Sequence, residues 1–345
     1  AQGADIGDLA YRQTIRAKAF DAVRGLLPAA SLSNVGIYGT GQAYEALLLR
    51  MRAHPLPEAR SYADLMLEEL RKVIPSFLRR VDVPERGLAW SAYLEENHLA
   101  MKRFVTDLER GSEVEVVSEV ELIDWDPEGE RKMLAAMLYP YSRASERQLV
   151  ALVDQMNADE KLEVVKRYVG ERGNRRHRPG RALERLDYRF DILGDYGGFR
   201  DMQRHRLLTI EWQSLSPDHG YEVPEAIQAA GLADRYVGVM ERSKALYELL
   251  EPDYPEQAAY AVSMAFRVRY VMQFNAREAL HMLELRSQPQ GHPNYRRIAQ
   301  EMYHQIANRA GHEIVAQMFK FIDLSAGEDG RLEAEKVLEA KRFNS

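Results

Sequence analysis

The amino-acid sequence predicts an α+β protein: a helical half-module followed by a fuller module in which helices outweigh a small sheet. Three observations lead there. Eight long segments carry apolar residues at helical spacing. Two short segments, SEVEVVSEVELIDW (112–125) and LDYRFDIL (186–193), alternate or run β-branched and read as strands. An early stretch of the chain also resembles a later one in the same order.

The helical segments are 4–24, 41–53, 56–73, 128–138, 145–169, 224–250, 256–286 and 293–323, each with few internal breakers. Between the fifth helix and the second strand lies GERGNRRHRPGRA (170–182), a connection rich in glycine and arginine. The second strand runs into a turn at Gly194-Asp195-Tyr196-Gly197-Gly198. After that turn, the amphipathic segment led by Arg204-His205-Arg206 has the pattern of a helix start. From about residue 325 the chain is polar and expected to fray.

The internal match pairs RAKAF (16–20) with RSKAL (242–246), and 41–70 with 274–303. It divides the chain into residues 1–105, the degenerate helical half of a first repeat; 115–325, a complete second module; and 326–345, a polar tail. On this expectation the chain starts partway through the first repeat.

With 345 residues, of which 46% are hydrophobic and 29% charged, the chain is long enough for a sizeable core. A net charge of -6 argues against general affinity for nucleic acid or an acidic membrane surface, so any anion site must be local. No apolar run reaches the roughly 20 residues needed to span a bilayer, and the first residues lack signal-peptide character, so a cytoplasmic protein is expected. The sequence contains no cysteine, which excludes disulfides, thiolate metal sites and a cysteine nucleophile.

Two constellations point to chemistry. Arg204, His205 and Arg206 stand next to Leu207, Leu208 and Ile210, where a buried charge would need a partner. Guanidinium forks at a helix start suit phosphate or carboxylate, although Glu211, Asp201 or Asp195 could equally supply the anion. In FNAREALHMLELRS (274–287), Asn275 and Arg286 would lie on nearly the same helix face about 16 Å apart, with Ala279 between them leaving room for a planar ligand. An ordinary amphipathic helix with a solvated last arginine has the same spacing. His177 sits among Arg172, Arg175, Arg176, Arg178 and Arg181, a density of charge suited to diphosphate or RNA, or simply to a solvated loop in which Arg175 is expendable. No HExxH, Walker A, GxGxxG or GxSxG pattern occurs, and no metal is expected.

Arg204-His205-Arg206 followed after seven residues by Ser214, together with the Asn-Ala-Arg segment ending in Leu285-Arg286, resembles the two hallmarks of the flavin-dependent thymidylate synthases, the ThyX family. The resemblance spans the second module and implies a small antiparallel sheet flanked by long helices, assembled as a homo-oligomer with FAD at subunit junctions. It implies a methyltransferase of nucleotide biosynthesis that converts dUMP to dTMP with methylenetetrahydrofolate and NADPH, needing no enzyme nucleophile. Carried over by position, Arg204, His205, Arg206, Asn275, His281 and His177 would contact FAD. Arg204, Ser214 and Arg286 would bind the nucleotide, and Arg286 would polarise the pyrimidine as the catalytic residue. No nucleic acid or membrane partner is implied.

The sequence departs from the family pattern in places. Trp212 and Ser216 stand where the family has Glu and Arg, Pro217 replaces an aromatic, and Asp201 replaces a glutamine. In the first repeat Gln42, Leu48 and Ala53 fall opposite Asn275, His281 and Arg286, which suits a scaffold. Two other readings stay open: a flavin- or nucleotide-binding relative without methyl transfer, and an RNA-binding interaction protein using residues 172–181.

Overall fold

The structure, a computed structural model, describes residues 8–110 and 118–325, so the expected start of the first strand and the polar tail lie outside the described residues. These residues fall into two compact units. Those within Ala1–Ala29, Val117–Tyr247 and Ala261–Ser345 form the larger, and those within Ala30–Val116 and Glu248–Tyr260 the smaller. In chain order, α1 (Asp8–Arg24) belongs to the larger unit, and α2 (Gly41–Arg52), α3 (Pro57–Arg71), α4 (Pro75–Leu78) and α5 (Ala89–Leu108) make the smaller.

In the smaller unit, Thr40 caps α2 by accepting the Ala43 N–H at 3.2 Å, and Pro57 and Pro75 begin their helices where a missing N–H costs nothing. Leu48, Ala63, Leu67, Leu78 and Val81 make its core. The twenty-residue helix α5 was absent from the expected helices. Its apolar stripe, Trp90, Leu94, Met101, Phe104 and Leu108, is interrupted by Asn97 and flanked by charge, which weakens the periodic signal.

The larger unit holds β1 (Val120–Trp125), α6 (Gly129–Leu138), α7 (Glu146–Gln155), α8 (Ala158–Val169), β2 (Asp187–Asp195), α9 (Tyr196–Met202), β3 (Leu208–Trp212), α10 (Glu225–Ala229) and α11 (Ala233–Leu250). After these come β4 (Arg267–Asn275), α12 (Ala276–Arg286), α13 (Pro293–His304) and α14 (Glu313–Gln317). The sheet is antiparallel throughout, in the order β1-β2-β4-β3. Its two central strands pair without interruption from Asp187↔Asn275 to Asp195↔Arg267. One face buries Tyr188, Phe190 and Ile192 of β2 and Val268, Tyr270, Met272 and Phe274 of β4. The Phe190 and Phe274 rings stack diagonally across the ladder, 5.8 Å between centroids. Each such ring or aliphatic chain contributes about 1.5–3 kcal/mol by leaving water.

The α+β class and the small antiparallel sheet follow the expectation, and several elements do not. The expected helix 256–286 is a strand followed by a helix. Val268, Tyr270, Met272 and Phe274 point inward while Arg267, Arg269 and Gln273 are less buried, a period of two that helical packing cannot satisfy. The segment after Arg206 is the edge strand β3, not a helix start, because Leu208 and Ile210 alternate with Thr209 and Glu211. The expected helix 145–169 is two helices. Met156 is extended, and Asn157 restarts the chain with a capping box to Glu160. Gly231, at a φ of 68°, separates α10 from α11 within the expected helix 224–250. The expected turn at 194–198 instead becomes α9, because Asp195 Oδ1 accepts the Gly198 N–H at 2.7 Å. The expected helix 293–323 is likewise divided, between α13 and α14. Among the described residues, no helix is long and apolar enough to cross a membrane.

On α6, Glu130 accepts the Val315 N–H at 2.8 Å at the start of α14. Burial pushes its carboxyl up to about 7 from an ordinary value of 4.5, more than the backbone donors offset. A raised carboxyl favours the folded state while protonated; that contribution is complete below about pH 4.5 and is lost as pH rises through about 7. We expect Glu130→Gln to remove this dependence, so that between pH 5 and pH 8 the variant gains up to about 3 kcal/mol relative to the unaltered protein. Urea unfolding at both pH values measures it, and parallel curves for the two proteins would contradict the assignment.

Candidate functional site

The junction of β4 and α12 positions most of the cluster. Asn275 ends the strand and caps the helix, its Oδ1 accepting the Glu278 N–H at 3.0 Å. One helical turn apart, Glu278 and His281 then present their side chains on the same face. The connection from α9 to β3 brings His205 to them. Its Nδ1 lies 2.9 Å from Glu278 Oε1, both side chains being only 4% exposed.

Arg286, at the end of α12, donates Nε–H to His205 Nε2 at 3.1 Å. A guanidinium can only donate, so Nε2 is the acceptor and the proton sits on Nδ1, facing Glu278. The result is a directed chain, Arg286 to His205 to Glu278, with a neutral imidazole in the middle. Arg286 also donates Nη1–H to Asp201 Oδ1 at 3.2 Å and Nη2–H to the Asp201 carbonyl, and it lies 5.5 Å over the Tyr295 ring. Burial is the main cause lowering its pKa from the usual guanidinium value.

Asp201 also accepts from Arg204 and lies 3.6 Å from Arg24. The carboxylate that replaces the family's glutamine is therefore spent on three guanidinium groups and presents no free charge to an anion.

His281 packs edge-on to His205, with ring centroids 5.6 Å apart. Arg178 Nη2 approaches His281 Nε2 at 3.4 Å, which leaves the proton on Nδ1, and that atom is buried with no hydrogen-bond partner. Burial lowers the pKa of His281, and Arg178, His205 and Arg175 lower it further against the opposing pull of Glu278. A neutral imidazole with an orphaned N–H is a donor waiting for an acceptor.

The loop 170–182 is fixed to the same helix. Arg172 is 3% exposed and pairs with the fully buried Glu284 of α12 at 2.7 and 2.6 Å. It also donates to the His177 carbonyl at 2.8 Å and the Met318 carbonyl at 3.2 Å, and lies 5.2 Å over the Phe321 ring. Arg277 adds a second tie, to the Pro179 carbonyl at 2.9 Å and Glu184 at 3.0 Å.

The sequence-derived residues are therefore placed unequally. Arg204, His205, Asn275, His281 and Arg286 come together through Asp201 and Glu278. Arg206 is exposed beside them in sequence. His177 is exposed too, its ring nitrogens facing Gly173 N–H at 3.2 Å and the Asn174 side chain at 3.0 Å. Ser214 is exposed beyond Trp212, about 20 Å along β3 from Leu208, and among the described residues no hydrogen bond ties it to the cluster. The sequence reading missed Glu278, whose signal is its place three residues before His281, and Arg172–Glu284, which no local pattern announces.

His205, Glu278 and His281 hold donor atoms within 4.8 Å of one another, a spacing open to a metal ion. The chemistry is less suited to one. Arg286 and Glu278 already occupy both nitrogens of His205, and Arg178 and Arg286 surround the three with positive charge.

Fold and site together define an α+β protein with a cation-lined polar cluster built on one helix. Residues 121–310 match the family described as thymidylate synthase complementing protein, Thy1, and the chain belongs to this family, the ThyX family to which its motifs point. It is 37% identical to a UPF0159 protein of Chlamydia pneumoniae, over 94% of this chain and 61% of that protein. It is 31% identical to a UPF0159 protein of Thermoplasma acidophilum, over 96% of this chain and 65% of that protein. The chain thus spans less than two thirds of the length of these curated relatives. Among solved structures it is similar to the flavin-dependent thymidylate synthase ThyX of Helicobacter pylori complexed with FAD and dUMP (16% identity, TM-score 0.44, covering 60% of this chain and 100% of that one). It is also similar to the UMP/dUMP methylase PolB of Streptomyces cacaoi bound with 5-Br dUMP (15%, TM-score 0.47, 61% and 98%).

Removing one partner of a buried ion pair leaves the other uncompensated. Arg172→Ala and Glu284→Gln are each expected to cost about 3–5 kcal/mol of stability, and a paired Arg172→Met, Glu284→Leu replacement much less. Urea denaturation reads both; single losses under about 1 kcal/mol would mean that the pair is solvated.

Proposed function

We propose that this chain carries the FAD- and dUMP-binding part of a flavin-dependent thymidylate synthase, which methylates dUMP to dTMP with methylenetetrahydrofolate and NADPH. The observation that carries this reading is the Arg286–His205–Glu278 chain. It joins the two family hallmarks, 81 positions apart in sequence, through one hydrogen bond. The orphaned His281 Nδ1–H beside it fits an acceptor on a bound ring system.

FAD, when bound, supplies the redox and one-carbon transfer chemistry, and the protein supplies position and charge. Held by His205 and Asp201, Arg286 places its charge and a remaining N–H donor against the pyrimidine carbonyl. There it stabilises the negative charge that develops as C5 reacts. Glu278 fixes the tautomer of His205 and, through it, the orientation of Arg286. Asn275 holds the start of α12, and His281 offers its N–H to the coenzyme. Arg204 and Arg206 remain at the surface for phosphate, and His177 shapes the loop edge of the site. Ser214 reaches the nucleotide phosphate of a neighbouring copy in a homo-oligomer. The helix pairs α2–α3 and α12–α13 are both capped by a polar side chain and restarted at proline, which supports a tandem repeat whose first copy is a scaffold.

A second reading, flavin or nucleotide binding without methyl transfer, is favoured by Trp212 and Ser216 at positions where the family has Glu and Arg. Purified protein is expected to show flavin absorption bands and to release tritium from 5-labelled dUMP when methylenetetrahydrofolate and NADPH are supplied. Arg286→Ala should lower that release by about 10²–10³-fold. Flavin binding without tritium release selects the second reading, and a colourless protein that FAD cannot reconstitute rejects both.

A further inference from the structure

The mechanism above leaves Arg175 and Arg178 of the 170–182 loop unused, as it does the exposed Arg176. Arg175 is half-buried and, among the described residues, has neither a hydrogen bond nor an ion pair. The carboxylate acting on it is Glu284, and both oxygens of that group are already taken by Arg172. Its other charged neighbours, Arg176 and Arg286, repel it. Arg178 lies 3.4 Å from His281 Nε2 and, among the described residues, has no carboxylate partner. Burial lowers the pKa of Arg175, as expected for a cation withdrawn from water without compensation.

A chain with net charge -6 has carboxylates to spare, and Glu184 pairs with both Arg181 of the loop and Arg277 of α12. Arg175 and Arg178 therefore stand out as positive charge gathered beside Arg286 and His281 with no internal counter-ion. The buried Arg172–Glu284 pair holds the loop that carries them, with Arg175 half-buried and Arg178 exposed beside His281.

We propose that Arg175 and Arg178 form an anion subsite on the α12 side of the loop, which takes a phosphoryl group of the ligand bound at Arg286 and His281. This rests on the flavin and nucleotide reading for the identity of the phosphate's bearer, either the diphosphate of the coenzyme or the monophosphate of the nucleotide. The subsite requires only that the group be anionic and tetrahedral, and two guanidinium forks meet three phosphate oxygens.

The test titrates FAD, riboflavin, dUMP and deoxyuridine into the full chain and into Arg175→Gln, Arg178→Gln and Arg175→Lys. Arg167→Gln on α8, an exposed arginine, serves as control. Arg175→Gln should weaken FAD or dUMP about tenfold or more while leaving the phosphate-free counterpart within twofold, and Arg175→Lys should retain part of the affinity. A loss confined to FAD places the coenzyme's diphosphate at the subsite, and one confined to dUMP places the nucleotide's phosphate. Unchanged affinity for both, or equal loss for riboflavin or deoxyuridine, overturns the subsite. Inorganic pyrophosphate separates this from the flavin reading. If the protein binds neither flavin nor nucleotide, a thermal upshift with pyrophosphate that Arg175→Gln abolishes still supports an anion subsite; an identical response in both proteins removes it.

Discussion

The arrangement of the site depends on one ion pair sealed from solvent. Arg172 and Glu284 are separated by 112 positions, yet their contact holds the 170–182 loop against α12. Two charges withdrawn from water lose several kcal/mol of hydration each, and the pair is tolerable because little of that loss is left uncompensated. Arg172 satisfies its donors with Glu284, two carbonyls and an aromatic face, while Glu284 also accepts the Phe321 N–H at 3.3 Å. Such a pair adds little net stability over apolar residues of the same shape. What it does add is a fixed point between the loop and α12 at Arg172 and Glu284.

Charge is then distributed by rule. The site gathers Arg24, Arg204 and Arg286 around Asp201, places His205 against Glu278, and, among the described residues, leaves Arg175, Arg178 and Arg206 without ion pairs. An acidic protein thus keeps a small cationic region whose positive charge is partly cancelled within the structure and partly left for a ligand. The Asp201 carboxylate would repel phosphate if solvated, but accepting from Arg204 and Arg286 and lying 3.6 Å from Arg24 it becomes a fixture that aims Arg286.

Much of this was legible in the sequence, and the exceptions have physical causes. The spacing of Asn275 to Arg286 read correctly as a helix with a polar residue at its start, because capping and periodicity are local. The strand before it, Arg267–Asn275, alternates cleanly but was absorbed into the longer helical run to which its neighbours belong. Its nine-residue pairing with β2 is non-local, and no window along the chain contains it. Of Arg204-His205-Arg206 only His205 is buried, and a triplet does not reveal which member turns inward. Arg172, Glu284 and Glu278 were invisible as a set because ion pairs across a hundred residues leave no spacing to count. Ser214 lies at the interval of its motif yet beyond the end of the edge strand β3, and sequence distance cannot tell one chain from two.

The two histidines show why this site favours a neutral, donor-rich surface over a metal or a general base. Both nitrogens of His205 are engaged, Nε2 accepting from Arg286 and Nδ1 donating to Glu278. His205 is therefore a spacer of fixed polarity. His281, with Nε2 turned to Arg178, keeps a single N–H to offer. A bound anion would reverse the local field, raise the pKa of His281 and strengthen the same donor, so ligand charge and imidazole polarity reinforce each other. Electrostatic support that appears only when the ligand arrives is compatible with a folded protein that must be stable without it, and it confines the cost of an unpaired buried N–H to the free state.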